Sequence, residues 1–404
     1  MTGSRKRVKM SSKLWDKGYR MDKKAEAFVV GEDYLLDMRL VKYDCIASIA
    51  HAKMLGKIGV LKPEEVKKLV KELNNIIKLH EKGKFTISKE QEDMHTAIEN
   101  FLTAKLGSLG KKIHTGRSRN DQVLAALRLY YKEHLKHCIS LSEKFIKSAG
   151  HFSARYGNIQ LPGYTHTRKA MPSSVKLWAG SFIEAMRDNI TLLNAALELV
   201  DQSPLGTGAG YGSSLAVDRE FTAKELGFAK VQKNPIYVQM SRGKFEATML
   251  HALTQVTLDI NKMATDLIML SMPEFGYYEL PLSFTTGSSM MPNKKNPDIL
   301  ERLRANYHII VAQEMQVKGL SGNLPTGYNF DIAFTKEPII KGFDIAEGSL
   351  AAAAYLIEKL KVNKENCKKG LTEDIFATSK VYGLVKKGMP FRDAYKKVGK
   401  GLKN

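Results

Sequence analysis

The stretch Asp121 to Phe152 reads DQVLAALRLYYKEHLKHCISLSEKFIKSAGHF. Its apolar residues Val123, Leu124, Leu127, Tyr131, Leu135, Cys138, Ile139, Phe145, Ile146 and Phe152 recur at steps of three and four, which places them on one face of an α-helix. No proline interrupts the pattern, and Asn120 or Asp121 offers a short side-chain oxygen to cap the first turn. A helix this long exceeds the roughly 8–20 residues usual in a globular domain and belongs in a bundle.

The same spacing recurs further along the chain. A second long helix is predicted to open at Ser173 or Ser174, after Pro172, and to run to Val200, before Pro204 and Gly206. A third spans Lys244 to Met272 and stops before Pro273. In a fourth, Asn296 caps the start and Pro297 takes the first helical position, where its fixed φ suits the turn. Shorter amphipathic helices are predicted over Pro63 to His80, Lys89 to Lys105, Leu350 to Leu360 and Asp374 to Lys387. The expected fold is all-α, with an elongated central bundle of long helices between smaller helical domains. The expected division is 1–110, 111–345 and 346–404, with breaks at Gly107 to Gly110 and Gly342 to Gly348.

Composition narrows the function classes. The basic N-terminus is followed by no apolar run, so no secretory signal is expected. No apolar stretch reaches the roughly 20 residues that a membrane span needs. Cys45, Cys138 and Cys367 fit neither a disulfide framework nor a metal site, and point to a reducing cytoplasm. The formal charge of +21 favours anionic partners. Its basic residues are spread along helices, without zinc-finger spacing or an RNA-binding aromatic signature, so a Lys-rich surface of a heat-adapted cytosolic protein or an anionic small substrate is expected rather than specific nucleic-acid binding.

Four polar, glycine-bearing loops interrupt the helices. HTGRSRNDQV, His114 to Val123, sets Arg117, Ser118, Arg119 and Asn120 at a helix start, a combination suited to a carboxylate or phosphate; a charged turn with a capping residue is the plainer alternative. LPGYTHTRKAMPSS, Leu161 to Ser174, offers the Thr165 hydroxyl and the His166 imidazole. SPLGTGAGYGSS, Ser203 to Ser214, lacks the Gly-Lys-Thr ending of a phosphate loop. In GSSMMPNKKNPD, Gly287 to Asp298, backbone amides, Ser288, Lys294 and Asn296 stand at a helix N-terminus. Such donors suit the removal of a proton beside a carboxylate, because that step adds a second negative charge to the same group.

This last loop resembles the signature of the fumarase/aspartase superfamily. TGRSRNDQV (Thr115 to Val123) and PGYTHTRKAMP (Pro162 to Pro172), together with EDMHTAIE (Glu92 to Glu99) and SIAHAKML (Ser48 to Leu55), resemble its argininosuccinate lyase branch. The likeness runs from about Trp15 to about Val398. It implies a homotetramer in which loops from three chains build each active site, and reversible cleavage of argininosuccinate to arginine and fumarate without metal or organic cofactor. By the resemblance Ser288 is the general base, Lys294 and Asn296 hold the dianionic intermediate, His166 is the acid, and Glu301 orients its imidazole. Ser118, Arg119, Asn120 and Thr165 match substrate-binding positions, and Tyr328 and Lys336 match residues that hold the arginine half.

The chain also departs from the branch. Asn293, Arg168 and Phe330 stand where many relatives have Gln, Gln and Lys, and Ala333 stands where a Gln helps to hold the amino-acid end. The family's N-terminal serine contact aligns poorly here, near Asp33, and is assigned to no residue, and the C-terminal unit is shorter than in longer members. Two other readings stay open: elimination from a different succinyl adduct, which Ala333 favours, and a non-enzymatic structural role.

Overall fold

The computed structural model describes residues 22–402; the basic stretch Arg5 to Lys9 and Met10 lie outside the described residues. The fold is the all-α bundle expected from the sequence. Five long helices dominate it: Arg119–Tyr156, Val175–Val200, Lys244–Leu270, Asp298–Leu320 and Lys336–Lys359. Contacts group the chain into two compact units. The first comprises Met1–Lys136, Ala195–Thr248 and Met315–Ile340, and the second His137–Asn194, Met249–Glu314 and Lys341–Asn404.

The first unit has a core in which Ala47, Ala50, Ala125, Leu205, Ala223 and Phe228 pack together. Small residues bring its helices close, and Phe228 fills the space left between them. Some polar residues of the quoted helix are buried too. Arg128 donates to the Gln202 carbonyl at 2.6 Å and to Ser241 Oγ at 3.0 Å, and its guanidinium lies 5.0 Å from the Phe245 ring centroid. In the second unit Phe152, Trp178, Phe182 and Tyr278 form an aromatic cluster in which Trp178 meets Phe152 and Phe182 edge-on and Tyr278 at a tilt, with the Trp178 indole N–H donating to Asp266 at 3.0 Å.

Three helix details and one loop differ from the sequence reading. The long helix begins at Arg119, with Ser118 as its cap: the Ser118 hydroxyl accepts from the Asn120 N–H, and Asp121 reaches back to the Ser118 N–H. The helix expected from Leu350 is the second half of Lys336–Lys359, so the boundary placed at Gly342 to Gly348 falls inside a continuous helix. Gly342 serves packing there, since a Cβ would lie 2.5 Å from Leu250 Cδ2. The helix expected over Lys89 to Lys105 is two elements, a 3-10 turn Lys89–Gln91 and a helix Met94–Leu106 capped by Asp93.

The segment read as a loop at Leu161 to Ser174 is an antiparallel hairpin, Gln160–Thr165 with Arg168–Ser174. Pro162 pairs opposite Pro172, where the register shifts and the missing N–H groups cost no regular ladder bonds. Among the described helices none is long and apolar enough to cross a membrane, and Cys45, Cys138 and Cys367 are free and buried.

Candidate active site

In the first unit a buried polar network carries the loop His114 to Val123. Asp44 is fully buried and accepts from His95 Nδ1 at 3.1 Å and from Gln122 Nε2 at 2.9 Å. Burial opposes both charges and is the largest single influence, but the neighbours together outweigh it, His95, Arg117 and Gln122 for Asp44 and Asp44, Asp93 and Asp37 for His95: the Asp44 pKa falls below and the His95 pKa rises above its ordinary value. His51 is different. Burial, with Arg117 nearby, lowers its pKa to about 3, so the neutral imidazole donates through Nε2 to the Thr115 carbonyl at 2.9 Å.

The two arginines of this loop part company. Arg117 turns inward and donates to Ser48 Oγ at 2.9 Å, so it offers no second fork to an anion. Arg119 turns outward and donates to Asp93 at 2.8 Å. Asp93 also accepts from the Thr96 N–H, and so fixes a helix start and a guanidinium together. Ser118, Arg119 and Asn120 are all half-buried.

Asp121 couples this loop to the glycine-rich one. Its Oδ1 accepts from Ser118 N–H and its Oδ2 from the N–H groups of Gly206 and Gly208, at 2.8 and 3.0 Å. Both glycines have positive φ, which lets the backbone fold around the carboxylate. Burial raises the Asp121 pKa to about 6 against the pull of these three donors. The folded chain therefore holds this proton more tightly than the unfolded chain does. The resulting stabilisation is full below about pH 4 and is lost as pH rises through about 6. Compared with Asp121→Asn, the wild-type chain should lose about 3 kcal/mol of relative stability between pH 4 and 7 in urea titrations. A constant difference across that range would contradict the assignment.

Lys336 is 3% exposed; its ammonium contacts Asp33 Oδ1 and Oδ2 at 2.7 Å each and Asp37 Oδ1 at 2.6 Å. Burial works against its charge, but Asp37 and Asp33 outweigh it and the pKa lies above the ordinary lysine value. Beside this group lies a cavity of ≈ 400 Å³ lined by Asp33, Arg119, Phe330, Ala333 and Phe334, among others. Tyr328 is half-buried two residues before Phe330.

In the second unit His166 and Thr167 form the hairpin tip, with φ of 51° and 59°. A two-residue turn of this kind ordinarily takes Asn-Gly, and a β-branched threonine there is strained. Thr165 and His166 are exposed. The signature loop is closed at its base: Thr286 and Asn296 exchange backbone hydrogen bonds at 3.0 and 2.8 Å, and Asn296 Nδ2 donates to the Gly287 carbonyl at 3.3 Å. Within it, Ser288 Oγ accepts from the N–H groups of Met290 and Met291, at 3.3 and 3.0 Å. Lys294 is exposed, and Glu301 is exposed in the first turn of the helix that follows. The structure thus sets Ser288, Lys294 and Asn296 on one closed loop.

A family model described as "Lyase" matches residues 20–311. The argininosuccinate lyase of Thermotoga neapolitana is 51% identical over 389 residues, covering 96% of this chain and 98% of the relative. The chain belongs to the argininosuccinate lyase family. The corresponding protein of Phocaeicola vulgatus is 43% identical over 390 residues, covering 96% of this chain and 87% of its own length. Among solved structures, an EDDS lyase in complex with formate superposes with a TM-score of 0.79 at 22% identity, over 94% of this chain and 76% of that one. A class II fumarase from Schistosoma mansoni gives 0.77 at 14%, over 93% and 91%. These two show the shared helical fold.

Within this family framework, sequence reasoning missed the positions of two carboxylates. Asp121 reads as a helix cap and, besides closing that cap, ties two loops together. Asp33, set aside as a poor match to a serine contact, lies against Lys336. Neither tie carries a local sequence signal, since Gly206, Gly208 and Lys336 are distant along the chain.

Proposed function

We propose that the chain catalyses the reversible β-elimination of argininosuccinate to arginine and fumarate, in arginine biosynthesis in the cytoplasm. The observation that carries this reading is the closed signature loop, in which two backbone N–H groups point at Ser288 Oγ. Serine is a weak base in water, and donors fixed on its oxygen lower the cost of ionising it. Ser288 takes the proton from the carbon beside the succinyl carboxylate. The electron pair moves into that carboxylate, which becomes a dianion facing Lys294 and Asn296.

When the dianion collapses, the carbon–nitrogen bond breaks and the guanidino nitrogen leaves with a proton from His166, whose imidazole Glu301 orients. Ser118, Arg119, Asn120 and Thr165 hold the substrate, and Tyr328 and Lys336 flank its arginine half. No cofactor enters this sequence of steps. The reading includes a homotetramer whose active sites combine loops of three chains; the exposure of Thr165, His166, Lys294 and Glu301 in the single chain supports it. The three-domain division at 110 and 345 remains a proposal about the assembled protein.

A second reading keeps the elimination and changes the amine, because Ala333 gives the cavity a methyl group where many relatives have an amide. Purified protein incubated with argininosuccinate and with other succinyl adducts separates the two, with fumarate followed by ultraviolet absorbance. Fumarate from argininosuccinate is the expected result. Fumarate from another adduct alone would overturn the first reading in favour of the second.

A further inference from the structure

We propose that Asp121 is a positioning residue for substrate binding: seated in the glycine-rich loop, its carboxylate holds Ser118, Arg119 and Asn120 in the arrangement that receives the substrate. The inference rests on the argininosuccinate reading above and gives a role to SPLGTGAGYGSS, the loop that lacks the ending of a phosphate loop. That loop spends two of its glycine N–H groups on the protein itself. Gly206 and Gly208 both donate to Asp121 Oδ2, while Oδ1 accepts from the Ser118 N–H in the turn that opens the helix. One fully buried carboxylate thus bears on the substrate loop with one oxygen and on the glycine-rich loop with the other. Arg119 and Asn120 lie in the turn between Ser118 and Asp121 and take their positions from it.

The seat is pinned and close-fitting. Arg219 donates to the Leu205 carbonyl at 3.1 Å and to the carbonyls of Gln232 and Lys233 at 2.7 and 3.0 Å. A Cβ at Gly206 would lie 2.8 Å from Arg219 Cγ, and one at Gly116 would lie 3.0 Å from Leu215 Cδ2 and 3.1 Å from Val217 Cγ1. The two loops therefore also pack directly together. All three groups that meet the carboxylate are donors, so a proton on either oxygen adds a fourth donor to them and weakens the tie. The ionised form is the one that holds the loops. Two cations face it, Arg117 from its own loop and Arg219 from the helix Arg219–Glu225, and both stay charged at ordinary pH. The nearby imidazoles of His51 and His114 have pKa values of about 3 and about 4, below the titration of Asp121 at about 6.

The test is steady-state kinetics of wild type and Asp121→Asn with argininosuccinate between pH 5 and pH 8. An amide has one oxygen, so it cannot accept from Ser118 on one side and from the glycines on the other, whatever the pH. At pH 8 the KM of Asp121→Asn should exceed that of wild type about tenfold, the usual scale for hydrogen bonds to a lost charge, with kcat within about twofold. At pH 5 most wild-type molecules carry the Asp121 proton, so the wild-type KM should rise about tenfold and the ratio fall close to one. Every other titration is common to both proteins and cancels in the ratio. A merely structural role predicts the reverse order, because the raised pKa makes wild type most stable relative to Asp121→Asn at low pH. A KM ratio that is flat across pH, or largest at pH 5, would overturn the inference and leave the reaction intact. So would a wild-type KM unchanged between pH 8 and pH 5, a result that does not depend on the variant folding. Wild type that releases no fumarate from argininosuccinate at any pH would overturn the reaction and this inference together.

Discussion

Ser288→Ala is expected to lower kcat for fumarate release from argininosuccinate by about a thousandfold, the middle of the range for losing a positioned base. KM should change little, because the hydroxyl is a small part of the binding surface. The fold should persist. Ser288 is half-buried, and in its absence the N–H groups of Met290 and Met291 meet water, since both residues are exposed. Thermal unfolding of the variant should therefore match the wild-type chain, which separates loss of chemistry from loss of structure. Full activity in Ser288→Ala would remove the base from the mechanism.

Asp44→Ala should have the largest effect on stability, about 3–5 kcal/mol, the cost of stripping one partner from a buried ion pair. His95 and Gln122 would both lose their acceptor in a site without water access. The pH dependence has two limbs. The lowered Asp44 pKa gives stability that is present above the ordinary carboxylate range and lost as pH falls through the folded value. The raised His95 pKa gives stability that is present below the ordinary histidine range and lost as pH rises through the folded value. The advantage of wild type over Asp44→Ala should thus be greatest between the two titrations and decline on either side. Urea titrations across pH measure it, and a small, flat difference would contradict the network. Because Gln122 lies in the first turn of the helix that carries Arg119, the variant should also weaken substrate binding.

The long helices were legible because their apolar residues keep a period of three to four over many turns, so no single residue had to be read correctly. Their ends were less so. Ser118 caps the first helix because Asp121 completes the box behind it, a reciprocal arrangement that neither residue reveals alone. Gly342 reads as a break and is instead a close approach to Leu250, a distinction made only by the neighbouring helix. The hairpin was hidden for a local reason. Its turn is His-Thr rather than Asn-Gly, and its strands contain Pro162, Gly163 and Pro172, all ordinary signs of a loop.

The signature loop was legible as chemistry because hydroxyl, ammonium and amide are crowded into twelve residues before a helix start. What it does with them was not. The backbone bridge between Thr286 and Asn296, and the turn that points two N–H groups at Ser288, follow from the closed geometry of the loop. Arg117 and Arg119 show the same limit: two adjacent guanidinium groups of identical type, one spent on Ser48 inside the core and one facing a cavity.

The central claim is that Lys294 lowers the barrier by neutralising a carboxylate that briefly carries two negative charges. Steady-state kinetics of Lys294→Met with argininosuccinate test it most directly. Lys294 is exposed and its removal should leave the fold unchanged, while kcat should fall by about a hundredfold or more, the scale for losing one donor to a developing oxyanion. An unchanged kcat in a variant that folds and binds substrate would contradict the account.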